Sequence, residues 1–178
     1  MSDTGTAARR LTPSGSNAAR THGWVFIHAA RRPFFAHLES ELGALFGSPA
    51  RLQWSQQSAV PGSWRTEFPW AGPSGTAAAL MSRLRMFPHL YAEATEHAVG
   101  ESPGMRFALT PDLGLWSAAM SASGDVMVNE SALRTALGGA HDAMVARIEE
   151  LLGEPWDAAL EPLRASGERT SAPLLRVV

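Results

Sequence analysis

Cysteine is absent from the chain. Its absence excludes disulfide bonds, thiolate catalysis, and zinc or iron–sulfur sites with cysteine ligands. Lysine is absent too, so all 15 basic residues are arginine, a bias that a GC-rich genome explains as readily as chemistry does. No stretch approaches the roughly 20 consecutive apolar residues that a membrane-spanning helix needs. We therefore expect a cytoplasmic protein in a reducing compartment, with no membrane partner.

The chain is long and apolar enough for one domain, since 45% of its 178 residues are hydrophobic. Acidic and basic residues are spread evenly and leave a net charge of −2, which argues against nucleic acid as a partner. Residues 1–20 have little apolar content and no apolar central run. This composition excludes a signal peptide and predicts a disordered N-terminal tail, followed by a single domain over residues 21–178.

The first part of that domain, residues 21–100, alternates strand and helix patterns. Residues 24–28 are β-branched and aromatic, and apolar residues then recur at helical spacing from Phe34 to Phe46. The next elements are two strands predicted to pair as a hairpin, a helix and a fourth strand, at residues 51–57, 64–70, 77–84 and 89–97. The order β-α-β-β-α-β predicts an α+β fold with a ferredoxin-like, split βαβ core.

Residues 101–178 are predicted to extend this core. Residues 105–109, 113–120 and 126–128 have strand patterns, and Asn129 and Asp142 are placed to begin helices. A third helix is predicted over residues 155–164. Because the first strand is apolar on both faces, we expect this β-hairpin and helical extension to cover the sheet face that the two core helices leave open.

The loops that lead into the two core helices form a candidate anion site. We expect the first and third strands to be adjacent and parallel, which would bring both loops to one edge of the sheet. Helix N-termini offer free N–H groups, and arginines beside them suit a carboxylate or phosphate. The candidate ligand-binding residues are His28, Arg31, Arg32, Ser74 and Gly75. The alternative is that the arginines are solvated, that Ser74 is only a helix cap, and that His28 is a satisfied strand-end residue.

The predicted hairpin is rich in tryptophan. Trp54, Trp64 and Trp70, together with Arg65, are residue types that concentrate at protein interfaces, so they form a candidate protein-binding surface. The alternative is that these aromatic side chains belong to the core. A sheet that binds RNA also uses exposed aromatic residues, but it needs a basic open face, which the sequence does not indicate.

Motifs for catalysis, metals and cofactors are missing from the sequence. It has no nucleotide-binding glycine pattern, no His-x-x-x-His pair and no Gly-x-Ser-x-Gly. We predict no catalytic residue, no metal site and no cofactor, and the sequence favours a protein that is not an enzyme.

Four segments, taken as a set, resemble an uncharacterised actinobacterial family, the domain of unknown function 3145. They are WVFIHAA at residues 24–30, PGSWRTEF at 61–68, TPDLG at 110–114 and LLGEPWD at 151–157. The resemblance runs from Trp24 to Val178 and includes the Gly124-Asp125 turn. It implies an intracellular protein whose gene lies near those of fatty-acid synthesis, and it implies no assigned activity.

Two functions are compatible with these features. The first is a non-enzymatic accessory or regulatory protein that binds another protein, plausibly an acyl-CoA carboxylase or an enzyme of fatty-acid synthesis. The second is a small-molecule sensor or enzyme that holds an anionic ligand, such as an acyl-CoA or a phosphate, at the edge formed by Arg31, Arg32 and Ser74.

Overall fold

The computed structural model describes residues 19–171, with side chains up to residue 166. The N-terminal tail predicted for residues 1–20 lies outside this range except for its last two residues, and Arg20 begins the first strand. The strands are β1 (Arg20–Arg31), β2 (Ser55–Gln57), β3 (Ser63–Pro73), β4 (Tyr91–Glu96), β5 (Gly104–Thr110), β6 (Gly114–Met120) and β7 (Val126–Met127). The helices are α1 (Phe35–Phe46), α2 (Thr76–Leu84), α3 (Glu130–Leu137), α4 (His141–Leu152) and α5 (Glu154–Ser171).

The strands form one sheet in the order β2-β3-β1-β4-β5-β6-β7, and every neighbouring pair is antiparallel. The α+β class and the β2–β3 hairpin are therefore confirmed. The expectation that the first and third strands run parallel is wrong, because Arg20 lies opposite Pro73 and Arg31 lies opposite Ser63. The reason is topological: β2 runs in the direction of β1, and the hairpin then reverses the chain before β3 inserts between them.

One face of the sheet packs on α1 and α2. Leu38, Leu42 and Phe46 lie four residues apart on α1, so they share one face of the helix and are buried against the sheet. The helix ends at Gly47, whose φ of 67° is the left-handed conformation that glycine adopts most readily. The predicted bounds of both core helices are close to those observed.

The second strand is shorter than predicted, because residues 51–54 are tied to α1 and not to the sheet. The Glu39 carboxylate accepts hydrogen bonds from the Leu52 backbone N–H at 3.1 Å and from the Arg51 guanidinium at 3.3 Å. The ring of Trp54 stacks on Phe35 with 3.9 Å between centroids. These contacts hold the segment over the helix until Ser55 joins β3.

The opposite face of the sheet is covered by α5. Alternate residues of β5 point to opposite faces: Phe107 belongs to the core under α1 and α2, whereas Ala108 packs in a second cluster. That cluster comprises Ala108, Trp116, Trp156, Leu160 and Leu163. The C-terminal part thus covers this face as expected, but it does so mainly through α5.

Candidate functional site

The two halves of the candidate anion site lie at opposite ends of the sheet. Arg31 is the last residue of β1, whereas Ser74 follows the end of β3 that lies opposite Arg20. Eleven residues of extended chain separate these ends, a distance of about 35 Å at about 3.3 Å per residue. Arg31 and Arg32 therefore cannot share a ligand with Ser74 and Gly75, and the predicted site is wrong as a single site.

The N-terminus of α2 does hold an anion, but the anion is the buried carboxylate of Glu96. Glu96 Oε1 accepts from the Gly75 N–H at 2.7 Å and from Ser74 Oγ at 3.2 Å. Its Oε2 accepts from the Ala77 N–H at 3.0 Å. A carboxylate at a helix N-terminus satisfies free N–H groups and interacts favourably with the helix dipole. The chain itself therefore fills the position that we assigned to a carboxylate or phosphate ligand.

Arg31 and Arg32 are exposed and contact the β2–β3 turn and strand β3. Arg31 Nη1 donates to the Pro61 carbonyl at 3.2 Å. The Arg32 guanidinium lies over the ring of Trp64, 5.9 Å from its centroid, which is within the range of a cation–π contact. Both side chains are exposed, as in the alternative that they are solvated, and both contact the hairpin.

The candidate interface residues divide into core and margin. Trp70 is fully buried, and its Nε1 donates to the Thr95 carbonyl at 3.2 Å, so it is a core residue and cannot contact a partner. Trp54 and Trp64 are half-buried around Phe35, one stacked and one edge-on. Arg65 is mostly buried, with Nη2 3.5 Å from Glu67 Oε2. Trp70 is therefore a core residue, as in the alternative interpretation. Trp54, Trp64 and Arg65 are partly buried at the edge of that core.

His28 belongs to a charged cluster between the sheet and α5. His28 Nε2 donates to Glu93 Oε2 at 2.7 Å, and Glu93 also accepts from Arg164 Nη2 at 2.6 Å and from Arg106 Nη2 at 3.1 Å. Both arginines in addition contact Asp157. We call these five residues the Glu93 cluster. Because two carboxylates face two guanidinium groups, its charges balance when His28 is neutral.

The position of each member of the Glu93 cluster follows from its element. His28, Glu93 and Arg106 lie on β1, β4 and β5, which are neighbours in the sheet. Asp157 and Arg164 are seven residues apart, about two helical turns, so they lie on the same face of α5. The cluster therefore joins three strands to the helix that covers them.

The electrostatics of the Glu93 cluster fix its charges. Burial raises the pKa of Glu93, but hydrogen bonds and charges from His28 and Arg164 outweigh burial and bring this pKa well below its usual range. The same balance lowers the pKa of Asp157 and raises the pKa of both arginines. Glu93, Asp157 and the two arginines are thereby held in their charged forms, and their ion pairs join α5 to the sheet.

Of these five residues, only His28 was predicted from the sequence as a site residue. The one available signal was a glutamate between Ala92 and Ala94 in a strand whose other positions are largely buried. A buried carboxylate requires a partner. The partners of Glu93 are His28, Arg106 and Arg164, which lie on three different elements, so no local spacing connects them to Glu93.

Within residues 19–171, no group of three or more His, Asp or Glu side chains is arranged to hold a metal ion. None of the helices in the same range combines the length and the apolar content needed to cross a bilayer.

Exposed apolar side chains concentrate in the C-terminal part. Seven large hydrophobic residues are exposed within the described range, and four of them lie between residues 127 and 145. Three belong to the helical hairpin formed by α3 and α4: Leu133 is 39% exposed, Leu137 58% and Val145 40%. Leu133 and Leu137 are four residues apart and share one face of α3. This hairpin is the strongest candidate for a binding surface.

The polar sites described above do not identify a function. Comparison with known proteins assigns the chain to a family. A family model described as a protein of unknown function, DUF3145, matches residues 24–177. The chain therefore belongs to this family. No curated protein and no solved structure matches it.

Proposed function

We propose that this member of an uncharacterised family is a non-enzymatic accessory or regulatory protein that binds another protein through the α3–α4 hairpin. The main support for the proposal is that few side chains of this hairpin are buried. Among the side chains described for α3, only Ala136 is buried, and none of those of α4 is buried. Amphipathic helices are normally stabilised by packing of an apolar face, so the exposed faces favour a protein partner.

The charges of the hairpin indicate what the partner surface is like. Residues 130–152 carry four carboxylates and two arginines. Glu130 pairs with Arg134, and Arg147 pairs with Glu150. Among the described residues, Asp142 and Glu149 make no ion pair. The hairpin therefore fits a partner with an apolar patch beside basic residues.

Three finer assignments accompany this proposal: the partner, the location and the fold of the core. As the partner we suggest an acyl-CoA carboxylase or an enzyme of fatty-acid synthesis, which is supported by the gene neighbourhood that the family resemblance implies. We also suggest a cytoplasmic location, supported by the absence of cysteine. For the fold, the order β2-β3-β1-β4 with α1 and α2 on one face supports a ferredoxin-like core that is extended by three further strands.

A small-molecule sensor is the less favoured function. It depended on one anion site made from Arg31, Arg32 and Ser74. Arg31 and Ser74 lie at opposite ends of the sheet, and Glu96 already occupies the α2 N-terminus. No observation on the described residues favours this alternative.

The test is affinity purification of the tagged full chain from its host at mild salt, followed by mass spectrometry. The chain is compared with a Leu133→Glu, Leu137→Glu variant and with Met86→Glu as a matched control. Met86 is also exposed but lies outside the hairpin. We expect wild type and control to retain one enzyme in stoichiometric amount and the double variant to lose it. The proposal is wrong if wild type recovers no such partner, or if the double variant recovers it equally well.

A further inference from the structure

Strand β6 has an open outer edge. It pairs with β5 along its whole length, from Gly114 to Met120, whereas β7 pairs only with Ala119 and Met120. Between residues 115 and 118 the side away from β5 has no hydrogen-bonded neighbour anywhere in residues 19–171. Unpaired strand edges are templates for pairing with another chain.

The backbone groups that point outward can be identified. The Ser121 N–H donates to the Asp125 carbonyl at 2.8 Å, on the side of β7. Because successive residues of an antiparallel strand direct their N–H and C=O groups to alternate sides, Ser117 and Leu115 also direct theirs outward. Leu115 and Ser117 thus each direct one unpaired N–H donor and one unpaired C=O acceptor away from β5.

The other edge of the sheet, formed by β2 and β3, is protected against pairing. β2 covers only Ser63 to Arg65 of β3, and the rest of β3 contains Pro69 and Pro73. Both prolines lie opposite residues of β1, so their missing N–H groups must lie on the outer side. By contrast, β6 contains neither proline nor any charged residue. Only one of the two edges is protected against pairing.

We propose that the β6 edge pairs with the β6 edge of a second copy of this chain, antiparallel about a two-fold axis at Trp116. In this register Leu115 lies opposite Ser117 of the second copy, and Ser117 lies opposite its Leu115. Facing residues of this type exchange two hydrogen bonds. The register therefore satisfies every outward backbone group of the open stretch on both copies.

The ends of the open stretch support the same register. Gly114, where β6 begins, lies opposite residue 118 of the second copy, which is next to Ala119, the partner of the last β7 residue, Met127. Leu113 of one copy then lies beside Met127 of the other, at both ends of the interface. These side chains are 43% and 45% exposed in the single chain. The pairing covers both and brings no charged residue of β6 against another.

This interface goes beyond the proposed function and uses neither Leu133, Leu137 nor Val145. Pairing of two short edges buries a small area, and interfaces of that size are weak. The association should therefore depend on protein concentration. A two-fold axis limits it to dimers and prevents continued growth.

The experiment measures the mass of the full chain in solution by light scattering from micromolar to submillimolar concentration. We expect the mass to rise from 19.0 kDa toward twice that value. Ser117→Pro and Ser117→Ala both remove the exposed hydroxyl, but only the first removes the outward N–H. The proline variant should stay monomeric, and the alanine variant should dimerise like wild type. Hydrogen exchange at Leu115 and Ser117 should slow as the wild-type dimer forms.

Two outcomes would overturn the proposal: a 19.0 kDa mass at every concentration, or a folded Ser117→Pro variant that still dimerises. If circular dichroism shows that the Ser117→Pro variant does not fold, the mass of the Leu113→Glu, Met127→Glu variant in solution tests the register instead. Both side chains are exposed in the monomer, so its fold should be kept. Loss of the dimer then supports the register, and an unchanged dimer refutes it.

Discussion

Replacement of Glu93 by glutamine tests the role of the Glu93 cluster. Glu93→Gln keeps the size and shape of the side chain but removes the charge that Arg106 and Arg164 face. Removal of one partner of a buried pair typically costs about 3–5 kcal/mol. Because the two arginine side chains remain 22% and 25% exposed, water offsets part of this loss. We therefore expect the free energy of unfolding at neutral pH to fall by about 2–3 kcal/mol.

The assay is urea unfolding followed by tryptophan fluorescence, since Trp116 and Trp156 pack in the cluster beneath α5. In a thermal unfolding experiment, the same loss of stability should lower the melting temperature by about 4–12 °C for a chain of this length. Glu67→Gln is the matched control. Glu67 is an exposed glutamate of β3 that lies 3.5 Å from Arg65, and its replacement should change stability by less than about 0.5 kcal/mol.

Acid pH provides an independent measurement of the same effect. The pKa of Glu93 in the folded chain lies below its ordinary value of 4.5, so its stabilisation is complete above that pH and is lost as the pH falls below it. Each pH unit below this value removes about 1.4 kcal/mol from wild type through this group. The variant has no such carboxylate, so the gap between the two proteins should narrow in acid. Equal stabilities at neutral pH, or a gap that does not narrow, would refute the anchoring role.

Five further variants have defined outcomes in thermal unfolding. Glu96→Gln should lower stability by about 1–3 kcal/mol, because it weakens the cap of α2, and Ser74→Ala should cost less than about 1 kcal/mol. Gly153→Ala should cost more than about 2 kcal/mol, because φ is 83° and the new Cβ would lie 2.7 Å from the Trp116 ring. Its control, Gly124→Ala, has a φ of 94° but open space, so only about 1–2 kcal/mol is expected. Arg31→Ala with Arg32→Ala should leave any thermal shift produced by inorganic phosphate unchanged; a loss of such a shift would restore the anion site.

Local signals predicted local structure well. The four-residue spacing of Leu38, Leu42 and Phe46 predicted α1, and glycines that adopt positive φ end both α1 and α4. Asn129 caps α3 as predicted, since its side chain accepts from the Ala132 N–H at 2.8 Å. These features depend on neighbours within one or two turns, so the sequence shows them directly.

Long-range features were harder to predict. The direction of β3 relative to β1 depends on the path of the chain through α1 and the hairpin. Because this direction was predicted to be parallel, the two loops of the anion site were wrongly placed at the same edge. Tryptophan type alone did not separate Trp70, which lies in the core, from the half-buried Trp54 and Trp64. The Glu93 cluster combines residues up to 136 positions apart, His28 and Arg164, so no motif could reveal it.

The candidate ligand groups that the sequence suggested are satisfied within the chain. The α2 N-terminus is bound by Glu96, and His28 is paired with Glu93. Among the described residues, the apolar faces of α3 and α4 and the edge of β6 have no partner, and three buried polar atoms, Trp54 Nε1, Arg65 Nη1 and Thr66 Oγ1, have none either. Apolar helix faces and free strand edges both bind other polypeptides, since each lacks the convergent polar groups that orient a small ligand. The exposed apolar faces and the β6 edge are therefore the features that support the proposed protein partners.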